Sequence, residues 1–177
     1  TPNTSSAASD VYKRQVTATL LTLNIKGGLG TQLRPLTAWL AEQDADILCL
    51  QECGRAVVPW LQGALYGSWQ AAYASATYNG NAILSRLPLT TQRAVSLRVP
   101  GQHEVRSAVD VTVALPGGPL RLCCVHLDHI REDTRLAQWA ALRAAIPDLG
   151  DGLLCGDLNA VWPVSYTHLT LPTKCWG

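Results

Sequence analysis

Residues 46–52, DILCLQE, place the tightest limit on the fold. Ile47, Leu48, Cys49 and Leu50 follow one another with no polar interruption. A strand points successive side chains to opposite faces, so an unbroken apolar run belongs to a strand covered on both. The run then ends on the polar pair Gln51–Glu52. Ligand-binding and catalytic groups in sheet proteins often lie just beyond strand carboxyl ends.

Three further stretches follow the same design. Residues 16–25, VTATLLTLNI, read as a strand finishing at Asn24. Residues 120–126 finish at His126, and residues 151–157, DGLLCGD, finish at Gly156–Asp157 with Asn159 just beyond. Shorter strands are expected at 69–73, 82–84, 93–99 and 105–113, with an LPGG turn at 115–118. Between strands, Leu33, Leu36, Trp39 and Leu40 recur at helical spacing over 31–42. Residues 57–65 suit a short helix that tolerates Pro59 in its first turn. Residues 132–146 suit a longer one, with Leu136, Trp139 and Ala140 on one face and Pro147 as a stop. Helices alternate with strands early and late, while strands run consecutively in the middle. The fold class is therefore α/β (α+β), a sandwich of mixed sheets.

With 177 residues, 47% of them hydrophobic, the chain can bury a sizeable single core. A net charge of +1 gives no broad basic footprint for nucleic acid, and 15% charged residues argue against disorder. No run approaches the roughly 18 apolar residues of a membrane span. There is no Met, and the opening TPNTSSAASD has neither a charged nor an apolar segment of a signal peptide. Cys49, Cys123, Cys124 and Cys155 lie in apolar runs and read as small buried hydrophobes of a reduced protein, which leans towards the cytoplasm. Without a CxxC pair, sequence spacing gives no basis for a structural zinc site.

Asn24, Glu52, His126, Asp157 and Asn159 each have a structural explanation when taken singly, as a turn, a solvated strand end or a hydrogen-bonded histidine. Their common position at strand ends favours chemistry. Glu, Asp and Asn offer hard oxygen ligands, which suit Mg²⁺ rather than zinc, with Mn²⁺ as an alternative. Asp157 could orient or deprotonate a water that Asn159 holds. His126 could stabilise charge on a phosphate or move a proton.

These stretches resemble, in order, the motifs of the endonuclease/exonuclease/phosphatase superfamily of metal-dependent phosphoesterases. TLNI at 22–25 and DILCLQE at 46–52 resemble its first two motifs, which implies a metal site at Glu52 and Asn24. GNAILSRLPL at 80–89 places Asn81 near the scissile phosphate, and EVRSAVDVTV at 104–113 makes Arg106 a phosphate contact. VHLDH at 125–129 makes His126 catalytic, and GDLNA at 156–160 is similar to the family's Asp-x-Asn motif, Asp157 and Asn159. His129 is expected to be structural or to face solvent. The resemblance implies a four-layer sandwich of two mixed sheets flanked by helices. It also implies phosphoester hydrolysis by in-line attack of a metal-activated water. The substrate is a phosphoester of nucleic acid, phospholipid or nucleotide, and QECGR at 51–55 departs from the abasic-site endonuclease branch.

Family members continue into further strands with a terminal Ser-Asp-His-type motif, which this sequence does not contain. SSAASDVYKRQ at 5–15 and VSYTHLTLPTK at 164–174 resemble adapter-derived segments at the ends of fragmentary genes. The expected organisation is thus a non-native tail over 1–15, a partial domain over 16–163, incomplete at its C-terminus, and a non-native tail over 164–177. Such a chain is expected to be poorly soluble and weakly active. A non-catalytic binding module on the same fold, or a gene fragment with no function of its own, are the competing expectations.

Overall fold

The structure, a computed structural model, describes residues 18–28, 32–76 and 79–160. The expectations for the two tails and for the strand residues before 18 lie outside the described residues.

Among the described residues, eight strands form two four-stranded sheets. The first contains β1 (Leu20–Asn24), β2 (Ile47–Gly54), β3 (Gln70–Ala74) and β4 (Asn79–Ser85), in the order β1-β2-β4-β3. The second contains β5 (Leu89–Leu97), β6 (Arg106–Leu115), β7 (Gly118–His126) and β8 (Leu153–Asp157), in the order β5-β6-β7-β8. Each sheet is mixed: β1/β2 and β7/β8 are parallel, and the other pairs are antiparallel. The parallel pairs need a crossover, supplied by helix α1 (Leu33–Glu42) in one case and α3 (Glu132–Ala145) in the other. Helix α2 (Val57–Ala64) follows β2.

Three apolar layers hold the sandwich together. Leu48, Leu50 and Leu84 of the first sheet pack against Leu40 of α1 and Val57, Val58 and Leu61 of α2. Between the sheets, Ile47, Cys49 and Ile83 meet Val109, Val111, Leu122 and Cys124. On the far side, Leu97, Cys123 and Val125 pack against Leu142 of α3 and Ile146. Strand β2 thus uses alternate residues for two different layers, which is why its sequence is apolar without a break. Each fully buried Leu or Ile contributes about 1.5–3 kcal/mol relative to exposure. Among the described residues no helix is long and apolar enough to cross a membrane.

Two helix faces differ in part from the sequence expectation, although Leu33, Leu36 and Leu40 of α1 and Trp139 of α3 do pack against the core. In α3 the buried residues are Thr134, Gln138 and Leu142, whereas Leu136 is 62% exposed. Hydrogen bonding joins the burial of Leu142 in selecting this face: Gln138 Oε1 accepts the backbone N–H of Asp128 at 2.8 Å. Asp128 Oδ1 in turn accepts the N–H groups of Ile130 and Arg131 just before the helix starts. In α1 the buried residues are Thr37 and Leu40, and Trp39 lies 41% exposed. The Thr37 hydroxyl donates to Leu33 O within the helix and accepts from Trp60 Nε1 of α2. Strand β4 extends beyond the expected 82–84 because Gly80 and Asn81 continue it. A Cβ at Gly80 would lie 2.2 Å from Ala74 O, so only glycine lets β3 and β4 approach here.

Candidate active site

Parallel pairing decides where the polar strand ends fall. In β1/β2, Asn24 lies opposite Gln51, and in β7/β8, His126 lies opposite Asp157. Each crossover helix returns the chain so that two carboxyl ends emerge side by side. Packing of the two sheets then sets the four ends together.

The sequence pattern ends this strand at Glu52, but β2 continues past a bulge to Gly54, and it aims Gln51 and Glu52 differently. Its register against β4 shifts between Leu50 and Cys53, and Glu52 there has a φ of 50°. A bulge re-aims a side chain, and a left-handed Glu is a strained conformation concentrated at functional sites. Gln51 points between the sheets, where Nε2 donates to Thr22 Oγ1, to Cys49 O and to Cys124 Sγ. Glu52 is turned the other way. Asn24 Nδ2 donates to Glu52 Oε1 at 3.1 Å and to Asp157 Oδ2 at 3.0 Å. Asn24 Oδ1 accepts the N–H of Lys26. Two carboxylates therefore converge on one neutral amide.

The Asp157 end is fixed by glycine. Gly156 has a φ of 131°, and a Cβ there would lie 1.9 Å from Val125 O. Asp157 Oδ1 accepts the backbone N–H of Asn159, whose own φ is 48°. The Asn159 Nδ2 donates to Leu127 O, leaving its carbonyl oxygen as the acceptor on that side chain.

His126 is almost fully buried and stands between Asp157 and Arg106. Its Nε2 is 3.8 Å from Asp157 Oδ2, and Arg106 Nη1 is 3.4 Å from its Nδ1. A guanidinium can only donate, so Nδ1 accepts and the ring proton sits on Nε2, towards Asp157. Burial lowers the His126 pKa below its ordinary value, and the Arg106 cation lowers it further, against the pull of Asp157, Glu52 and Glu104. Burial and Arg106 together thus favour the neutral ring. Arg106 also donates from Nη2 to His129 Nδ1 at 3.0 Å and pairs with Glu104 at 3.3 Å.

Asn81 lines the same cleft, together with Glu52, Asn79, Arg106, Ser107 and His126. Its Nδ2 donates to Ser107 O at 2.6 Å. Among the described residues, four buried side-chain polar atoms have no hydrogen-bond partner: Asn79 Oδ1, Asn81 Oδ1, Arg106 Nε and Gln138 Nε2. Three of the four belong to residues of this cleft. An unpartnered buried polar group costs about 1–3 kcal/mol, so such a cluster calls for a polar partner, a water or a ligand, at this cleft.

The structure thus brings Asn24, Glu52, His126 and Asp157 together, sets Asn159 beside Asp157, and lines an adjoining cleft with Asn81 and Arg106. His129, expected to be structural or solvent-facing, contacts Arg106. Asn79, Glu104 and Ser107 were not anticipated. Asn79 immediately precedes the 80–89 motif and Ser107 lies within 104–113, but only the folded sheets show that they border the cleft, and Glu104 meets the site through Arg106.

In sequence, residues 21–177 match the model of the Endonuclease/Exonuclease/phosphatase family. No curated protein matches the chain. Several solved structures share its fold. TDP2 from D. rerio, complexed with single strand DNA product, aligns with a TM-score of 0.68 at 20% identity, covering 81% of this chain and 61% of that one. A mannosyl-6-phosphatase from Bacteroides thetaiotaomicron aligns with a TM-score of 0.67 at 19% identity, covering 81% and 66% respectively. ANGEL2, a 2′,3′-cyclic phosphatase, gives 0.62 at 21% identity, covering 81% and 53%. The chain spans about two-thirds or less of the length of these structures.

Proposed function

Because the chain belongs to the Endonuclease/Exonuclease/phosphatase family, we propose that this site hydrolyses a phosphoester by in-line attack of water, with Mg²⁺ or Mn²⁺ as cofactor. The observation that carries the proposal is the cleft itself. Three unpartnered buried polar atoms lie on residues that border it, next to the buried His126 and the Glu52 carboxylate.

The donor set fits a hard divalent cation. Glu52 and Asp157 present carboxylate oxygens to one point, and only the neutral Asn24 amide stands between them. Glu52 would be the principal metal ligand. Asn24 would join it through Oδ1 once its carboxamide turns over, since in this structure Nδ2 faces the carboxylates. A bound Mg²⁺ would supply Lewis-acid polarisation of the phosphoryl oxygens.

The remaining roles fall to the chain's own side chains. Asp157 orients the attacking water and accepts its proton, while Asn159 Oδ1 accepts the water's other hydrogen; the P–O bond to the leaving group breaks on the opposite side, and the departing oxygen takes a proton from solvent. His126, carrying its proton on Nε2, donates to a phosphoryl oxygen as negative charge grows there. The Arg106 guanidinium attracts the phosphate, and Asn81 offers the amide hydrogen that Ser107 O does not take. Glu104 and His129 hold the guanidinium in place.

The substrate class is a phosphoester of a nucleic acid, a phospholipid or a nucleotide. Turnover of DNA, phosphoinositide and sphingomyelin panels, with Mg²⁺ and with a chelator, tests the proposal. Metal-dependent hydrolysis of one of them is the expected result. Saturable binding without hydrolysis of any would favour a non-catalytic binding module.

A further inference from the structure

We propose that the Sγ atoms of Cys49, Cys124 and Cys155 form a second cation site, chemically distinct from the oxygen-lined cleft, that takes one Zn²⁺ ion as a trithiolate. The three ligand atoms all lie within 4.8 Å of one another. Zinc–sulfur bonds of about 2.3 Å place the sulfurs of a trigonal or tetrahedral site about 3.8–4.0 Å apart, so sub-ångström adjustments close the site.

The proximity is dictated by strand register. Cys124 of β7 and Cys155 of β8 are direct partners in the parallel ladder of the second sheet. Cys49 of β2 is the direct partner of Thr22 of β1 in the first sheet. Cys49 and Cys124 both face the layer between the sheets, with Cys155 packed against it. Four backbones that are already hydrogen-bonded therefore present three sulfurs and one hydroxyl to the same small volume. No loop has to order to build the site.

The surroundings suit a thiolate metal centre. Gln51 Nε2 donates to Cys124 Sγ at 3.1 Å and to Thr22 Oγ1 at the same distance. An N–H donor to a coordinating sulfur is the usual support for such a ligand. Three thiolates alone would bring three negative charges into an apolar layer. Zn²⁺ offsets two of them, and the Gln51 dipole eases the remainder. Soft sulfur ligands select zinc or Cu⁺ over Mg²⁺, so the two sites of the chain sort cations by ligand type. Cys155 is half-buried and Thr22 is exposed, which gives a cation an approach from the β1/β8 side among the described residues. Binding ionises three S–H bonds, and the protons leave to the buffer.

The other buried thiols serve as internal controls. Cys53 and Cys123 are outside the cluster, and burial pushes each of them up to about 12. The full chain, reduced and freed of metal, would be titrated with Zn²⁺ against a chromophoric chelator, with Cu⁺ and Mg²⁺ as separate arms. Cd²⁺ would report thiolate ligation by its ultraviolet charge-transfer absorption. One zinc per chain is expected. Cys49→Ala, Cys124→Ala and Cys155→Ala should each weaken it by more than the roughly 10- to 100-fold that loss of a supporting group costs. Cys53→Ala, Cys123→Ala and Glu52→Ala should leave it unchanged. Because a core variant can fail to fold, mass-spectrometric alkylation of the unaltered chain supplies a second reading. Zinc should protect Cys49, Cys124 and Cys155. Absence of stoichiometric zinc uptake by the folded chain would overturn the proposal. So would protection of Cys53 or Cys123 instead, or uptake of Cu⁺ without Zn²⁺.

Discussion

Asn24 Nδ2 donates a 3.0 Å hydrogen bond to Asp157 Oδ2, joining residues 133 positions apart in the chain. The bond ties the end of β1 in one sheet to the end of β8 in the other. The same nitrogen also holds Glu52. Asn24→Ala removes the shared donor and leaves the two carboxylates to repel each other. Phosphoesterase turnover is expected to fall roughly 10- to 100-fold, mainly in kcat, as when a supporting group of a metal site is lost. Stability should fall by about 1 kcal/mol. Steady-state kinetics and urea unfolding on the same sample check both; an unchanged kcat in a folded variant would show that Asn24 has no part in the chemistry.

His126 makes stability depend on pH with a definite sign. Its folded pKa lies below the unfolded value of about 6.5 because burial, then Arg106, disfavours the charged ring. Below that pH the unfolded chain binds a proton that the folded chain resists. Stability from this source is thus intact above pH 6.5 and is lost as pH falls. The urea midpoint should drop between pH 7.5 and 5.5, and His126→Gln should flatten that part of the curve. A profile with the same slope in both proteins would refute the assignment.

Gly156 sets Asp157 in place. With a φ of 131° and no room for a Cβ against Val125 O, Gly156→Ala must displace β8 from β7. Backbone strain is expected to cost about 1–3 kcal/mol, with the clash against Val125 O adding to it, together with loss of turnover. Thermal unfolding of the variant measures the first effect; a melting temperature equal to that of the parent chain would contradict the geometry.

The two faces of α3 can be separated by truncation. Leu142 is fully buried, so Leu142→Ala should cost about 2–5 kcal/mol. Leu136 is largely exposed, and Leu136→Ala should stay within about 0.5 kcal/mol. Equal costs in chemical denaturation would mean that the helix is rotated from the position described.

The sequence made the strands legible wherever apolar residues run without a break, as in 47–50, because burial on both faces leaves no other composition. Asn24, Glu52, His126 and Asp157 were legible for the complementary reason: each is a polar residue where such a run stops. The buried face of α3 was not, because the polar residues Thr134 and Gln138 are buried there, Gln138 accepting the Asp128 N–H, and periodicity counts only apolar residues. The bond between Arg106 and His129 depends on a side chain reaching across from a neighbouring strand. The grouping of Cys49, Cys124 and Cys155 depends on two registers and a sheet-to-sheet contact, none of which local spacing encodes.

Metal-dependent hydrolysis at Glu52 is the most direct test. Hydrolysis of bis(4-nitrophenyl) phosphate by the folded chain would be measured with Mg²⁺, with Mn²⁺ and with a chelator, beside Glu52→Ala. The expected result is turnover that requires the cation and falls at least 100-fold in Glu52→Ala, on the scale of losing one preorganised charge-stabilising group. Turnover that survives the chelator, or that is the same in Glu52→Ala, would contradict the assignment of this cleft as a metal-dependent phosphoesterase site.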